Sequence, residues 1–450
     1  MPQNKFYKTI HQYNKKPLSA EDIYKLQEIA RDYSRVKNYV YQRYGGVGGL
    51  LKIYPGYTVQ NEMTQSEIRT QLGLPSVYFY LAVFEALGDI KAQWTNVKRS
   101  ILEAISRNEH FSPQEKHYLR FMMKFGGCFD HILNGKKVVI PEMMEETYKH
   151  IMEDIEYSSA CEEKLNKYLC RQVRKRLKNL QTDRGDGFSL TERAYRYGYC
   201  GKEHGIFIST KENRKRIFIA LTDNNAYNRQ LYIRIKPEEC KVRISVPIEQ
   251  KARLHKDYIN EVGISLGMWH MITTDGGRVY GERFGQIQQE LAEYMRISAQ
   301  IYRKEKHNNA GRKKYKAHKA KLNARLETYV NQEINRMIDE EKPKTIFLPG
   351  FPQGNKKGFN KKINYSVGVW KKGFMKDRLR QKCQENSIEY VEVEGKAIST
   401  ECNRCGAHGK YQNNIFVCES CGYEEDKKTN AAKNAKKRGK WKEQDSYIVH

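Results

Sequence analysis

"INEVGISLGMWHMITTDGG", residues 259–277, holds an apolar strand of Val262, Ile264 and Leu266 that Gly267 closes, with Ser265 at its centre. "TDGG" reads as a hairpin turn, and "RVYGERF" after it as the returning strand. Downstream, Ile287, Leu291, Tyr294, Ser298 and Ile301 fall on one side of a helix. A second helix ends near Glu340, and strand "KTIFLPG" follows. A helix over 366–386, strand "IEYVEVEG" and a basic helix "TNAAKNAKKRG" complete the series. Strand, hairpin, helix, strand, helix, strand, helix is the order of an RNase H-like α/β layer.

Upstream, the pattern changes twice. "GIFIST", "RIFIALT", "LYIRIKP" and "KVRISVPI" are short antiparallel strands of a small barrel or sheet, which Phe6–Tyr13 would complete from the other end of the chain. Between them the sequence is helical. Ser19 and Asp22 form a capping-box-like start with Asp in place of Glu. Ile23, Leu26, Ile29, Ala30, Tyr33, Val36 and Val40 keep helical spacing, and Gly45 and Gly46 stop the run. Pro75 opens a long helix, and further helices fit 112–125, 141–157 and 160–180.

The 450 residues suffice for two to four compact units. Lys and Arg number 81 against 53 Asp and Glu, a formal charge of +28. Charge of that size is tolerated when a polyanion is the partner, and nucleic acid is the first choice. No run approaches the roughly 18 apolar residues of a membrane span, and "MPQNKFYKTI" has no signal-peptide core. A reducing prokaryotic cytoplasm, beside the nucleoid, is the expected setting, with no membrane partner. Cys128, Cys161, Cys170, Cys200, Cys240 and Cys383 are scattered and read as small buried apolar residues.

The other four cysteines are different. "CNRC", twelve residues and "CESC" place Cys402, Cys405, Cys418 and Cys421 as two CxxC turns. Two such turns supply the tetrahedral thiolate set of a structural Zn²⁺, with "GKYQNNIFV" as the hairpin of a zinc ribbon.

"GISLG", "IFLPG", "ISTECNRCG" and "CGYEEDKKTNAAKNA" together resemble the TnpB proteins and their descendants, the miniature type V CRISPR effectors. The resemblance implies a multidomain α+β chain. Residues 1–15 and 190–258 would be a wedge β-barrel, and 16–189 an inserted helical recognition lobe. Residues 259–397 and 424–442 would form a RuvC-like α/β domain, 398–423 its inserted four-cysteine zinc ribbon, and 443–450 a tail.

The family's nuclease carboxylates have no counterparts at the aligned positions. Its first Asp falls on Ser265, its Glu on Pro349 and its last Asp on Lys428, while the earlier Asp of the final motif survives as Asp426. Serine is a weak neutral ligand, proline offers none, and lysine repels a cation. Mg²⁺ in such sites depends on carboxylates. The expectation is a nuclease-inactive protein, not an enzyme, without catalytic Mg²⁺.

What the resemblance leaves is RNA-guided binding of double-stranded DNA, with an R-loop beside a short adjacent motif read by residues within 1–100. Guide RNA, target DNA and structural Zn²⁺ are then the ligands, on a monomer or a homodimer around one guide. Transcription repression, or recruitment of transcription machinery or an effector protein, follows from binding without cutting. Two other readings stand beside this one. An active nuclease would use relocated acids, Glu392 or Glu394 first, with Asp275, Glu282, Glu424 and Glu425 also near. A zinc-ribbon protein would bind structured RNA without a DNA target.

Basic runs with interleaved tyrosines suit a nucleic-acid channel. Tyr302–Arg325 carries ten Lys/Arg and one Glu, and Arg312, Lys313, Lys314, Lys316, Lys319 and Lys321 are its candidates for phosphate contact. Lys427–Lys442 has eight Lys/Arg and no acid, with Lys433, Lys436, Lys437 and Arg438 the candidates there.

Overall fold

A computed structural model describes residues 5–154, 159–183, 185–304, 311–350 and 368–446. The chain is a multidomain α+β protein that divides into two compact units, Lys8–Ile248 and Met1–Tyr7 with Glu249–His450.

The first unit joins helices to two small sheets. Helix Ala20–Tyr44 starts at Ser19, whose hydroxyl oxygen accepts the Asp22 amide at 3.1 Å. The Asp22 carboxylate turns to the same hydroxyl and accepts its hydrogen at 2.7 Å. This helix packs with the long helix Ser76–Arg107 around Tyr33, Tyr44, Tyr78, Phe79 and Trp94, all nearly inaccessible. Lys37 and Asp89 pair at 3.0 Å on the rim, and the Tyr41 hydroxyl donates to Asp89 at 2.5 Å. The helix expected over 112–125 is there as Pro113–Lys124, and a further short helix, Gly126–Leu133, follows it after Phe125. Glu145–Asp154 and Ser159–Arg176 follow.

The strands of this unit do not form one continuous sheet. β1 (Lys5–Tyr13), β2 (Gly187–Leu190), β6 (Leu231–Lys236) and β7 (Lys241–Lys251) run in the order β1-β7-β6-β2. β3 (Tyr195–Cys200), β4 (Glu203–Ser209) and β5 (Arg216–Ala220) make an antiparallel meander. The chain just after β1 links the two, because Asn14 bridges to Leu221 and Lys15 donates its amide to the Ala220 carbonyl. Cys200 corrects one expectation: it ends β3 at the hairpin with β4 and is exposed, not buried.

The second unit has a five-stranded mixed sheet. β8 (Asn260–Leu266), β9 (Ile272–Thr274), β10 (Val279–Tyr280), β11 (Pro343–Pro349) and β12 (Glu389–Val393) run in the order β10-β9-β8-β11-β12. β8, β11 and β12 are parallel, while β9 runs antiparallel to β8 and β10 antiparallel to β9. The chain reverses once more than "TDGG" alone implies. Gly267 donates to the Met271 carbonyl at 3.1 Å and closes a first tight loop, so β9 already lies beside β8. The expected strand "RVYGERF" shrinks to two residues, because helix Phe284–Lys304 begins within it.

Leu291, Leu326, Val330, Ile334 and Ile346 fill the core of this unit. Ile301 does not join it and is half exposed, because its helix runs on past the sheet. The closing helix, Lys427–Ser446, lies hard against the sheet. A Cβ at Gly263 of β8 would overlap the Ala432 carbonyl oxygen, and one at Gly439 would overlap the Phe347 ring. Among the described residues no helix is long and apolar enough to cross a membrane.

Candidate functional site

The four clustered cysteines meet. Each knuckle reads CxxCG, and each glycine, Gly406 at φ +80° and Gly422 at φ +67°, takes the left-handed turn that returns the chain. Gly406 donates to the Cys402 carbonyl and Gly422 to the Cys418 carbonyl, both at 2.9 Å. β13 (Lys410–Gln412) and β14 (Ile415–Val417) form the hairpin between the knuckles, and β15 (Glu424–Asp426) adds a third strand. The ligand atoms of Cys402, Cys405, Cys418 and Cys421 all lie within 4.8 Å of one another.

Burial pushes the Cys418 thiol up, but the amides of Cys421 and Ser420 and the Cys405 thiol outweigh it and bring it down to about 7. For Cys421 the Tyr423 amide pulls down, while burial and the three other sulfurs push it up to about 12. Four sulfurs crowded together with one drawn toward thiolate form a donor set that fits one soft divalent ion.

The second feature is the end of the five-stranded sheet. Gly263 pairs with Phe347 across β8 and β11, and two residues further along each strand stand Ser265 and Pro349. Ser265 is 5% exposed and faces Thr273 of β9. Lys428, in the first turn of the closing helix, donates from Nζ to the Leu266 carbonyl at 3.2 Å. Burial and the Lys427 charge pull its pKa down, and Asp426 partly opposes them. The three positions named from the sequence therefore gather at one end of the sheet.

The neighbouring acids hold structural posts. Asp426 accepts the amides of Lys428 and Thr429 at 2.9 and 3.0 Å and so caps the closing helix. Asp275 accepts the Gly263 amide at 3.0 Å and pairs with Lys436 at 2.8 Å. Glu392 pairs with Lys376 and lies 3.6 Å from Arg380, and Glu425 pairs with Lys433. Glu282, Glu394 and Glu424 are exposed. Among the described residues, the four cysteines are the one group of His, Cys, Asp or Glu side chains gathered closely enough to hold a metal. The stretch 351–367 contains no Asp or Glu at all.

The basic candidates separate. Lys314, Lys316 and Lys321 are exposed on helix Gly311–Glu341, and Lys319 lies 5.9 Å over the Tyr315 ring. Tyr315 stacks on Tyr294 at 5.6 Å, and His318 sits 4.5 Å from Tyr294. The side chains of Arg312 and Lys313 lie outside the described residues.

The four candidates in the closing helix are occupied within the protein. Lys433 pairs with Glu425 and Lys436 with Asp275. Lys437 donates to the Asn403 carbonyl at 3.0 Å, and Arg438 takes Glu401 and the carbonyls of Glu394 and Lys396. These cations tie the closing helix to the ribbon on one side and to the sheet on the other.

Sequence reasoning missed the two asparagines of "TNAAKNA". Asn430 and Asn434, one turn apart and almost fully buried, both donate to the Glu401 carbonyl at 2.8 and 2.7 Å. Asn434 also donates to Ile398, and both side-chain oxygens accept from Asn403. Their i, i+4 spacing on an otherwise small-residue face was the available signal.

Residues 373–435 match the family model described as Cas12f1-like, TNB domain. No curated protein is similar to the chain by sequence. Among solved structures, the Cas12f1–sgRNA–target DNA complex is 12% identical, covers 96% of this chain and 99% of its own, and has a TM-score of 0.45. CasPhi-2 (Cas12j) bound to crRNA is 11% identical, covering 97% and 98% with a TM-score of 0.41. CasPhi3, described as a mini RNA-guided endonuclease, is 10% identical, covering 97% and 92% at 0.40. The match over 373–435 places a Cas12f1-like TNB domain in this chain, and it bears out the resemblance to TnpB and the miniature type V effectors there.

Proposed function

We propose that this protein binds a guide RNA and, through it, double-stranded DNA, and that it does so without cutting. The observation that carries the reading is the pairing of a TNB-type segment with a sheet end occupied by Ser265, Pro349 and Lys428. Phosphodiester cleavage of the RuvC kind needs carboxylates that hold divalent ions against the attacking and leaving oxygens. Here the three positions supply a hydroxyl, a pyrrolidine ring without donor atoms and an ammonium, and the nearby acids cap, pair or face solvent.

Binding asks less of the chain. Its +28 charge, with the exposed lysines of helix Gly311–Glu341 and the stack of Tyr315 on Tyr294 of helix Phe284–Lys304, suits backbone contact with a heteroduplex. Base pairing of the guide supplies sequence specificity, and the bound R-loop blocks a polymerase or recruits another protein. Cys402, Cys405, Cys418 and Cys421 hold Zn²⁺, which ties the two knuckles together and takes no chemical part.

The deciding experiment is purification from the native host with sequencing of the RNA that follows the protein. A discrete RNA with a structured scaffold and a short variable end is expected, and it names the DNA to test. With that RNA, a matched duplex is retained and, with Mg²⁺ added, recovered whole. Heterogeneous RNA, or cleavage at a fixed position, overturns the reading.

A further inference from the structure

The loop between β8 and β9 exposes a tryptophan beside the substituted centre. Trp269 is 63% exposed, in contrast to the fully buried Trp94. Its position is nevertheless fixed. Gly267 and Met271 close the loop by their backbone hydrogen bond, and the Gly285 amide donates to the Trp269 carbonyl at 2.9 Å. The indole lies against Gly285 so closely that a Cβ there would overlap its ring. An exposed indole held in a fixed seat, at the root of which a lysine ammonium sits, can stack on a flat ring at low ordering cost.

The second observation is Lys428. Its Nζ gives one hydrogen to the Leu266 carbonyl, and its Cε passes within 3.5 Å of where a Gly267 Cβ would stand, at the root of the same loop. An ammonium has three donors. Among the described residues no carboxylate forms an ion pair with it, although the Asp426 charge acts on it from further off. A positioned aromatic face and an ammonium without an anion, flanking one loop, match the two halves of a nucleotide.

We propose that Trp269 and Lys428 form a landing site for one unpaired nucleotide, the indole stacking on its base and the ammonium pairing with its phosphate. The site rests on the proposed function, because R-loop formation is what supplies an unpaired strand. The substituted sheet end then holds a single strand where a nuclease would cut it.

The test uses the full zinc-loaded chain and short oligo-deoxythymidine. Trp269→Ala weakens binding by about 5- to 100-fold, the range for losing one base–aromatic stack, while Trp269→Phe retains most of it. Lys428→Gln lowers the slope of log affinity against log salt by about 0.7, the value for one phosphate contact on a single strand. Should Trp269→Ala fail to fold, photocrosslinking of the unaltered protein to 5-iododeoxyuridine-substituted oligonucleotide, with mapping of the linked peptide, decides the matter. Linkage at Trp269 supports the site.

Unchanged affinity in well-folded variants, or linkage only elsewhere, overturns it, and binding of a protein partner at Trp269 instead does the same. Guide RNA recovered with the protein while these tests fail removes the landing site and leaves the proposed function standing. Absence of guide RNA with the tests positive does the reverse.

Discussion

The cysteine ribbon and the end of the five-stranded sheet sit on the two sides of one closing helix, and they gather different chemistry. The ribbon keeps its ligands and the turns that aim them, down to a left-handed glycine after each CxxC. The sheet end is built by its frame: parallel β8 and β11, the capped helix and the close contact at Gly263. At its tip stand Ser265, Pro349 and Lys428, and under the proposed function these occupy the positions of a nuclease's carboxylates. Frame and chemistry are thus separable. Packing and hydrogen bonding hold an α/β layer together whether or not its charged residues are still in place.

The largest effect expected from breaking this contrast is on the ribbon. Structural Zn²⁺ in small sites contributes about 10–16 kcal/mol of apparent binding energy, which doubles as folding energy. We expect about one zinc per chain by elemental analysis. Cys402→Ser or a strong chelator should abolish it and strip hydrogen-exchange protection from 400–426, while protection of β8 and β11 persists at least in part.

Next comes the joint between the two regions. Asn434→Ala leaves the Ile398 carbonyl without that donor and halves the supply to Glu401, in a place where Asn434 is 1% exposed. Unsatisfied buried polar groups cost about 1–3 kcal/mol each. A loss of about 2–4 kcal/mol in urea unfolding is expected. The loss should appear even with zinc bound, since the asparagine anchors the ribbon and does not ligate the metal.

Gly263→Ala probes the frame of the sheet directly. The new methyl meets the Ala432 carbonyl, so helix and strand must separate, at about 1–3 kcal/mol. A lowered midpoint of thermal unfolding with unchanged zinc content is the expected result.

How far the sequence led differs between these places for physical reasons. CxxC spacing is local, so the ribbon was legible residue by residue, and so was the apolar run Val262, Ile264, Leu266 of β8, which the sheet buries on both faces. The family pattern located Ser265, Pro349 and Lys428, which the fold gathers at one sheet end. What Lys428 touches was not legible, because the Leu266 carbonyl lies 162 positions away in sequence. The same holds for Lys433, Lys436, Lys437 and Arg438. A run of cations looks like a phosphate-binding surface until the fold brings Glu425, Asp275 and Glu401 against it. The loop that displays Trp269 went unread because "GMWH" carries no turn signal beyond its glycine.

The smallest effect bears on whether an acid on β12 gives the sheet end a metal site. Glu392 is the strongest candidate by position, one residue before the end of β12 and close to Gly350. Its carboxylate, however, is paired with Lys376 and lies near Arg380. Two cations drawn to one carboxylate neutralise the charge that a divalent ion would need, and neither cation can ligate a metal. Glu392→Gln should therefore cost no more than about 1 kcal/mol, as for a partly exposed ion pair. It should leave guided DNA binding unchanged, with or without Mg²⁺. A fall in DNA cleavage specific to this variant would instead make Glu392 a metal ligand. The contrast between ribbon and sheet end would then dissolve, since both sides of the closing helix would have kept their metal.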